Sequence, residues 1–503
     1  MTLTSPAATP PTDTSAAPIH RGRRWIDDWR PEEPDFWEST GKRVARRNLI
    51  WSIFAEHLGF SVWLIWSVSS AFLVSLGFDY SPQQLFLLVA LPNLVGALLR
   101  LPYTFAVPKF GGRNWTMASA ALLLIPTLGF AYAVQHPGTP YWVFCLIAAT
   151  AGFGGGNFAS SMANINFFYP ASKKGTALGL NAAGGNLGVA LVQLLLPVIV
   201  GGAGIFGMVK ASDGGTHLQR AAWVYAGLAI AATIAAYLFM DNLTSAHSSP
   251  REQLQVLRAP QTWIMSFLYI GTFGSFIGYS AALPLLIKLN FWVPEPAPLG
   301  TGIYFAYFAF LGALIGSATR PVGGWLADKY GGAKVTLGAF GGLVVGTLLV
   351  LWSLTQLTPN PTADPTIASA NESWFPWFLG FFLLVFASTG IGNGSTYKMI
   401  PAIWRTEAER STEAGTPART AALASATKQA SAAIGVIGAI GAIGGFLIPL
   451  AFSSPWVDNP LAATKGAFVT FTCFYVVCAL VTWVVYLRKP MRARVTSLAG
   501  AGI

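Results

Sequence analysis

Leu85-Phe-Leu-Leu-Val-Ala-Leu-Pro-Asn-Leu-Val-Gly96-Ala-Leu-Leu-Arg100-Leu-Pro-Tyr-Thr-Phe-Ala-Val107-Pro-Lys-Phe-Gly111-Gly112 is an apolar run with an arginine well inside it. A second run, Ile303 to Ala327, repeats the arrangement. Gly312-Ala313-Leu314, Arg320 and Gly331-Gly332 stand where the first has Gly96-Ala97-Leu98, Arg100 and Gly111-Gly112. If each Gly-Gly marks the turn where a helix leaves a bilayer, eleven residues separate arginine from membrane edge. At ~1.5 Å per residue the guanidinium then lies ~16 Å deep, about half of a ~30 Å hydrocarbon core. A charge at that depth is costly and by default marks function. Two of them, one per half of the chain, point to a binding site for an anion.

Composition agrees with a membrane reading. The 503 residues are 53% hydrophobic and 10% charged, with a mean hydropathy of +0.53. Apolar runs recur from Leu49 to Leu487 and must be helical, because lipid offers backbone amides no partners. Twelve spans are expected, near 49–76, 82–106, 114–134, 140–168, 175–200, 221–240, 261–288, 301–327, 334–356, 374–402, 421–451 and 464–487.

The net charge of +11 reflects topology, not a nucleic-acid partner. With both termini cytoplasmic, eight Lys and Arg fall in the N-terminal tail, eleven in cytoplasmic loops and four in the C-terminal tail; only Lys210, Arg220, Lys288 and Lys465 fall on the opposite side. That bias is the positive-inside signal of a multi-pass protein of the cell's inner (plasma) membrane. Cys145, Cys473 and Cys478 all lie within spans, with no disulfide framework and no metal-ligand spacing. The N-terminus has no signal-peptide core. Residues 1–20 read as disordered, and Trp25, Trp29, Phe36 and Trp37 suit either a segment lying at the membrane interface or a free tail.

Internal repetition divides the chain. The offset between the arginines is 220 residues, and that between Gly152-x-Gly154-x-Gly156 and Gly390-x-Gly392-x-Gly394 is 238; the loop around Thr358 to Ser373 absorbs the difference. Two six-helix halves are therefore expected, 48–240 and 261–488. A cytoplasmic linker, 241–260, joins them, and cytoplasmic tails flank them at 1–47 and 489–503. The glycines of spans five and eleven fit close helix packing, with a role in sliding or substrate contact for a few.

Arg100, Arg320, Lys398 and Lys428 lie in spans that clearly contain one acid, Glu56, so a structural salt-bridge network lacks partners. Snorkelling accounts for the lysines. The arginines are read as ligands of a small planar oxyanion, which the guanidinium fork matches bidentately. Glu56-His57 could carry a proton, though Glu56 is expected near the cytoplasmic end of span one, paired with a neighbouring Lys or Arg.

Gly152 to Pro170, then Lys174-Gly-Thr-Ala-Leu-Gly-Leu-Asn181-Ala-Ala-Gly-Gly-Asn186, resembles the nitrate signature of the NarK-type nitrate/nitrite porters of the major facilitator superfamily. Gly392-Asn-Gly-Ser-Thr-Tyr-Lys-Met-Ile-Pro401 resembles their second signature, and Asp28 to Trp37 their cytoplasmic lead-in. The resemblance implies a major facilitator fold and an anion clamped by Arg100 and Arg320. It also implies ligands at Asn181 and Tyr269 and aromatic walls from Phe273, Phe153 and Phe60. Lys398 stands where some members carry a neutral amide, and Glu56-His57 where the best-known exchangers are apolar. All three are candidates for coupling. The expected function is nitrate/nitrite antiport by alternating access, with a monomer as working unit and no cofactor or metal. Nitrate/proton symport is the alternative. An anion sensor, or a carrier of another oxyanion, is a third reading. An enzyme is disfavoured for want of a nucleophile, metal cluster or cofactor motif.

Overall fold

The computed structural model describes residues 20–21, 24–212, 215–246, 255–293, 300–359, 361, 364–454, 459–488 and 503. The tail expected to be disordered, apart from His20, and the C-terminal tail, apart from Ile503, lie outside the described residues.

Among the described residues, twelve helices are long and apolar enough to cross a membrane. In chain order they are Pro34–Leu76, Pro82–Phe110, Gly112–Ala133, Tyr141–Phe168, Ala171–Ile199, Leu218–Phe239, Pro260–Phe291, Phe305–Tyr330, Gly332–Thr355, Phe375–Arg410, Pro417–Ala451 and Pro460–Leu487, spans one to twelve below. An even number of crossings puts Pro34 and Leu487 on one face, here the terminal face. In one apolar 18-residue stretch of each, spans one and seven are 89% and 94% buried, whereas spans three, six, nine and twelve are 28–44% buried and present Ile125, Ile230, Val345 and Leu480 outward.

The repeated Gly-Gly pairs end their helices alike. Gly111 (φ 85°, ψ 147°) donates to Val107 O, and Gly331 (φ 92°, ψ 134°) to Ala327 O. A positive φ is a glycine conformation, so the pairs are true stops and the arginines lie ten residues inside them, at Phe110 and Tyr330.

Span one begins fifteen residues earlier than the sequence suggested, at Pro34, since proline opens a helix readily. Its lead-in is not a free tail but is packed onto the helices. Strand β2 (Trp25–Ile26) lies between β1 (His20–Arg21) and β3 (Asn242–Leu243), parallel to the latter. Ile26, Trp29, Phe36 and Trp37 pack with Phe168 and Leu243, and Trp29 Nε1 donates to Phe167 O (3.1 Å). Beneath them the buried Asp241 carboxylate accepts from Arg24 (3.3 Å), Arg47 and Asn48 (3.0 Å).

The halves close on each other at the face away from the termini. Lys288 Nζ of span seven donates to Ala71 O of span one (2.6 Å), so this lysine, at the face opposite the termini, is buried in the closure. Gln193 Nε2 of span five donates to Ser280 O of span seven (2.6 Å), and Phe72 meets Phe305 at 5.1 Å.

Candidate functional site

Burying a guanidinium requires replacing its water, and Arg100 shows how this chain does so. It is fully buried. Its Nε donates to Gly155 O of span four (3.2 Å) and its Nη1 to Gly438 O of span eleven (2.9 Å), so it bridges the two halves. Three aromatic faces surround it: Phe273 at 4.7 Å, Phe158 at 4.8 Å and Trp63 at 5.5 Å. Desolvated cation–π contacts of this kind contribute ~2 kcal/mol or more each. Arg320 is buried too, over Tyr397 (5.5 Å) and over Phe158 (5.9 Å), but makes no hydrogen bond among the described residues. Phe158 is thus shared by both cations.

Span seven brings in Tyr269 and Phe273 through a π-turn, Ile270–Gly274. The wider turn sets residues four apart on one line, and their rings stack at 5.3 Å and 14°. Such turns recur at functional sites. The Tyr269 ring lies against Gly441 of span eleven, where a Cβ would collide with it.

What stays unsatisfied identifies the ligand's chemistry. Arg100 Nη2, Arg320 Nη1, Tyr269 OH and Tyr397 OH are buried without a hydrogen-bond partner among the described residues. All four can donate, and two carry positive charge. Leaving such groups unpaired is expensive, so the arrangement fits a small anion. A cavity of about 750 Å³ runs from Arg100, Phe158, Tyr397 and Gly438 to Lys174 and Gln255. It leads to the terminal face, while the opposite face is shut.

The other expected site residues fall out differently. Phe60 touches Phe158 edge-on at 6.2 Å, one layer behind the arginines. Phe153 is half-buried and forms no cation–π contact with either arginine among the described residues. Phe158, Trp63 and Tyr397 face the arginines instead, and the sequence reading did not include them. Their signal was the glycine spacing: Gly155 abuts Gly96 of span two and Gly394 abuts the Arg320 backbone, with Phe158 and Tyr397 three residues further on the same faces.

Glu56 is not paired with a cation near a helix end. It is 1% exposed, accepts from Ser161 Oγ and from Asn181 Nδ2 (2.5 Å), and forms no salt bridge among the described residues. Room for the carboxylate comes from Gly185, where a Cβ would meet Oε1. Asn181 consequently turns its amide donors toward Glu56 and Ser161 (3.0 Å). His57 Nδ1 bonds to the Gly184 carbonyl (3.1 Å). Lys398 lies apart from the arginine cluster, ion-paired to Asp328 at 2.9 Å with both side chains about half exposed.

The profile of the Major Facilitator Superfamily matches residues 57–436, and the chain belongs to that superfamily of transporters. Within it, the chain is a member of the nitrate/nitrite porter family. It is 41% identical to the nitrate/nitrite transporter NarU of Escherichia coli, over 93% of this chain and 97% of that one. It is 38% identical to the probable nitrate/nitrite antiporter NarK2 of Thermus thermophilus, over 76% and 83%. The fold is similar to that of a D-xylose–proton symporter, with a TM-score of 0.57 at 15% identity over 87% of this chain and 96% of that one. A family of carriers removes the enzyme reading.

Proposed function

We propose that the protein exchanges nitrate for nitrite across the plasma membrane by alternating access, with Arg100 and Arg320 clamping the anion. The observation that carries this reading is the set of four buried, unpartnered donors on Arg100, Arg320, Tyr269 and Tyr397. The names of the relatives support the choice of anion, and a planar oxyanion suits two guanidinium forks flanked by aromatic faces. Asn181 is the further polar ligand that the family pattern suggests. Both termini are cytoplasmic in this reading, as the basic loops favour, and the cavity is the inward-open path.

Charge accounts for exchange. Arg100 and Arg320 are within electrostatic range of each other and of Glu56. With Glu56 ionised, the cluster carries two positive charges and one negative, so one univalent anion neutralises it. The loaded halves can close on a neutral site, whereas the empty site keeps a net positive charge that resists desolvation. A returning anion is then needed to reset the carrier.

The test is counterflow in proteoliposomes of the full-length protein. Labelled nitrate should enter only when nitrate or nitrite is trapped inside. Uptake into anion-free liposomes driven by a pH gradient alone would replace exchange with proton symport. Equal competition by phosphate or organic acids would remove the nitrate assignment.

A further inference from the structure

Glu56 enters the exchange reading only as a charge, and its contacts give it a further task. In span one it lies against span four through Ser161 and span five through Asn181 and Gly185. Both donors converge on Oε2, while Oε1 has no hydrogen-bond partner among the described residues. A carboxylate can only accept. It therefore holds the Asn181 side chain with its NH2 group toward Glu56, leaving Asn181 Oδ1 without a partner among the described residues. Leu178, one turn before Asn181, and Met162, whose sulfur is 3.6 Å from Asn181 Nδ2, both line the anion cavity. With its NH2 group turned to Glu56 and Ser161, Asn181 has no amide donor left for an anion.

We propose that Glu56 is a proton-operated positioning residue that sets whether the Asn181 amide has a donor free for the anion. The inference rests on the reading of the cavity as an anion path. When Glu56 takes up a proton, its new O–H donates to Asn181 Oδ1 after a half-turn of the amide. The NH2 group then occupies the place Oδ1 held and becomes available to the anion. One O–H bond forms on Glu56, no other bond changes, and the proton returns to solvent when the amide turns back. Protonation also removes a negative charge within range of the site. Both effects have one sign, tighter anion binding at lower pH.

The surroundings suit proton uptake. A polar cavity of about 10 Å³ lies beside Glu56, bounded by Ser52, Thr116, Ser119 and Asn157. That is room for one water, with Ser52 Oγ and both polar atoms of Asn157 otherwise unpartnered among the described residues. The charged and titratable groups in range of Glu56 are Arg100 of span two, Arg320 of span eight and Tyr397 of span ten, with His57 adjacent in span one but bonded to Gly184 O. Ser161, Asn157, Thr116 and Ser119 complete the ring as neutral groups.

The experiment is nitrate titration calorimetry on the purified full-length protein between about pH 6 and about pH 8.5, where both arginines stay charged. The unaltered protein should bind about tenfold more weakly at the alkaline end, a coupling of ordinary size. Glu56→Gln should bind at the acid-limit affinity with no pH slope. Asn181→Ala should bind more weakly, also without most of that slope. A slope that persists in Glu56→Gln overturns the proposal. So does a full slope in Asn181→Ala, which would leave charge alone as the cause. A flat profile in the unaltered protein overturns the switch and leaves the anion site standing, whereas no nitrate binding at any pH overturns the anion site and the switch together.

Discussion

Arg100 and Arg320 occupy matching places in two halves of one repeat, yet they are held by different means. Arg100 has two backbone carbonyls and three aromatic faces, and one of those carbonyls belongs to the opposite half. Arg320 has two rings and no hydrogen bond among the described residues. The first is a tether between the halves; the second is a buried cation without hydrogen bonds among the described residues. Repetition of sequence therefore fixed depth and charge but left the division of labour to the neighbours.

The largest effects should come from removing each arginine. Arg100→Ala and Arg320→Ala should each lose about 2–5 kcal/mol of nitrate affinity, as when one partner of a buried charged pair is truncated. Their stabilities without anion should diverge. Arg100→Ala leaves the Gly155 and Gly438 carbonyls without that donor and should lower the unfolding free energy by about 1–3 kcal/mol, whereas Arg320→Ala removes a buried cation with no hydrogen bonds and should unfold no earlier than the parent. Calorimetric nitrate binding and thermal unfolding in detergent measure the two quantities, and equal destabilisation by both variants would erase the distinction.

Phe158 probes what the two cations share. Phe158→Ala withdraws a face from both, so it should weaken nitrate binding by about 1–2 kcal/mol; Phe153→Ala, on a residue with no cation–π contact to either among the described residues, should change it much less. The smallest effect is expected at Lys398. Its pair with Asp328 is about half exposed, and such pairs contribute roughly 0–1 kcal/mol. Counterflow by Lys398→Gln should remain close to that of the parent, and a severe loss would return Lys398 to the coupling machinery.

These contrasts also mark what could be read from residues in order. Helix spans and both arginines were legible because a long apolar run has one solution in lipid, and a charge within it stands out. Aromatic identity was less so. Phe153 and Phe158 are five residues apart, which turns them ~140° from each other on a helix, and only the packing of Gly155 against span two decides which one meets Arg100. Tyr397 was hidden by its neighbour Lys398, whose charge drew attention to the wrong face of span ten. Glu56 was misplaced because depth was judged from apolar length, while its partners, Ser161 and Asn181, come from helices more than a hundred residues away. The aromatic lead-in was unreadable for the same reason, since its partner strand Asn242–Leu243 lies beyond six spans.

Lys288 gives the closed face a character of its own. Its ammonium is shut in by bonding to the Ala71 carbonyl, so the bolt that seals that door is itself a cation. Swinging the halves apart there must pull the bolt and set a positive charge at the threshold. A carrier open at that face would thus greet an approaching anion with a lure that a carrier closed there keeps indoors.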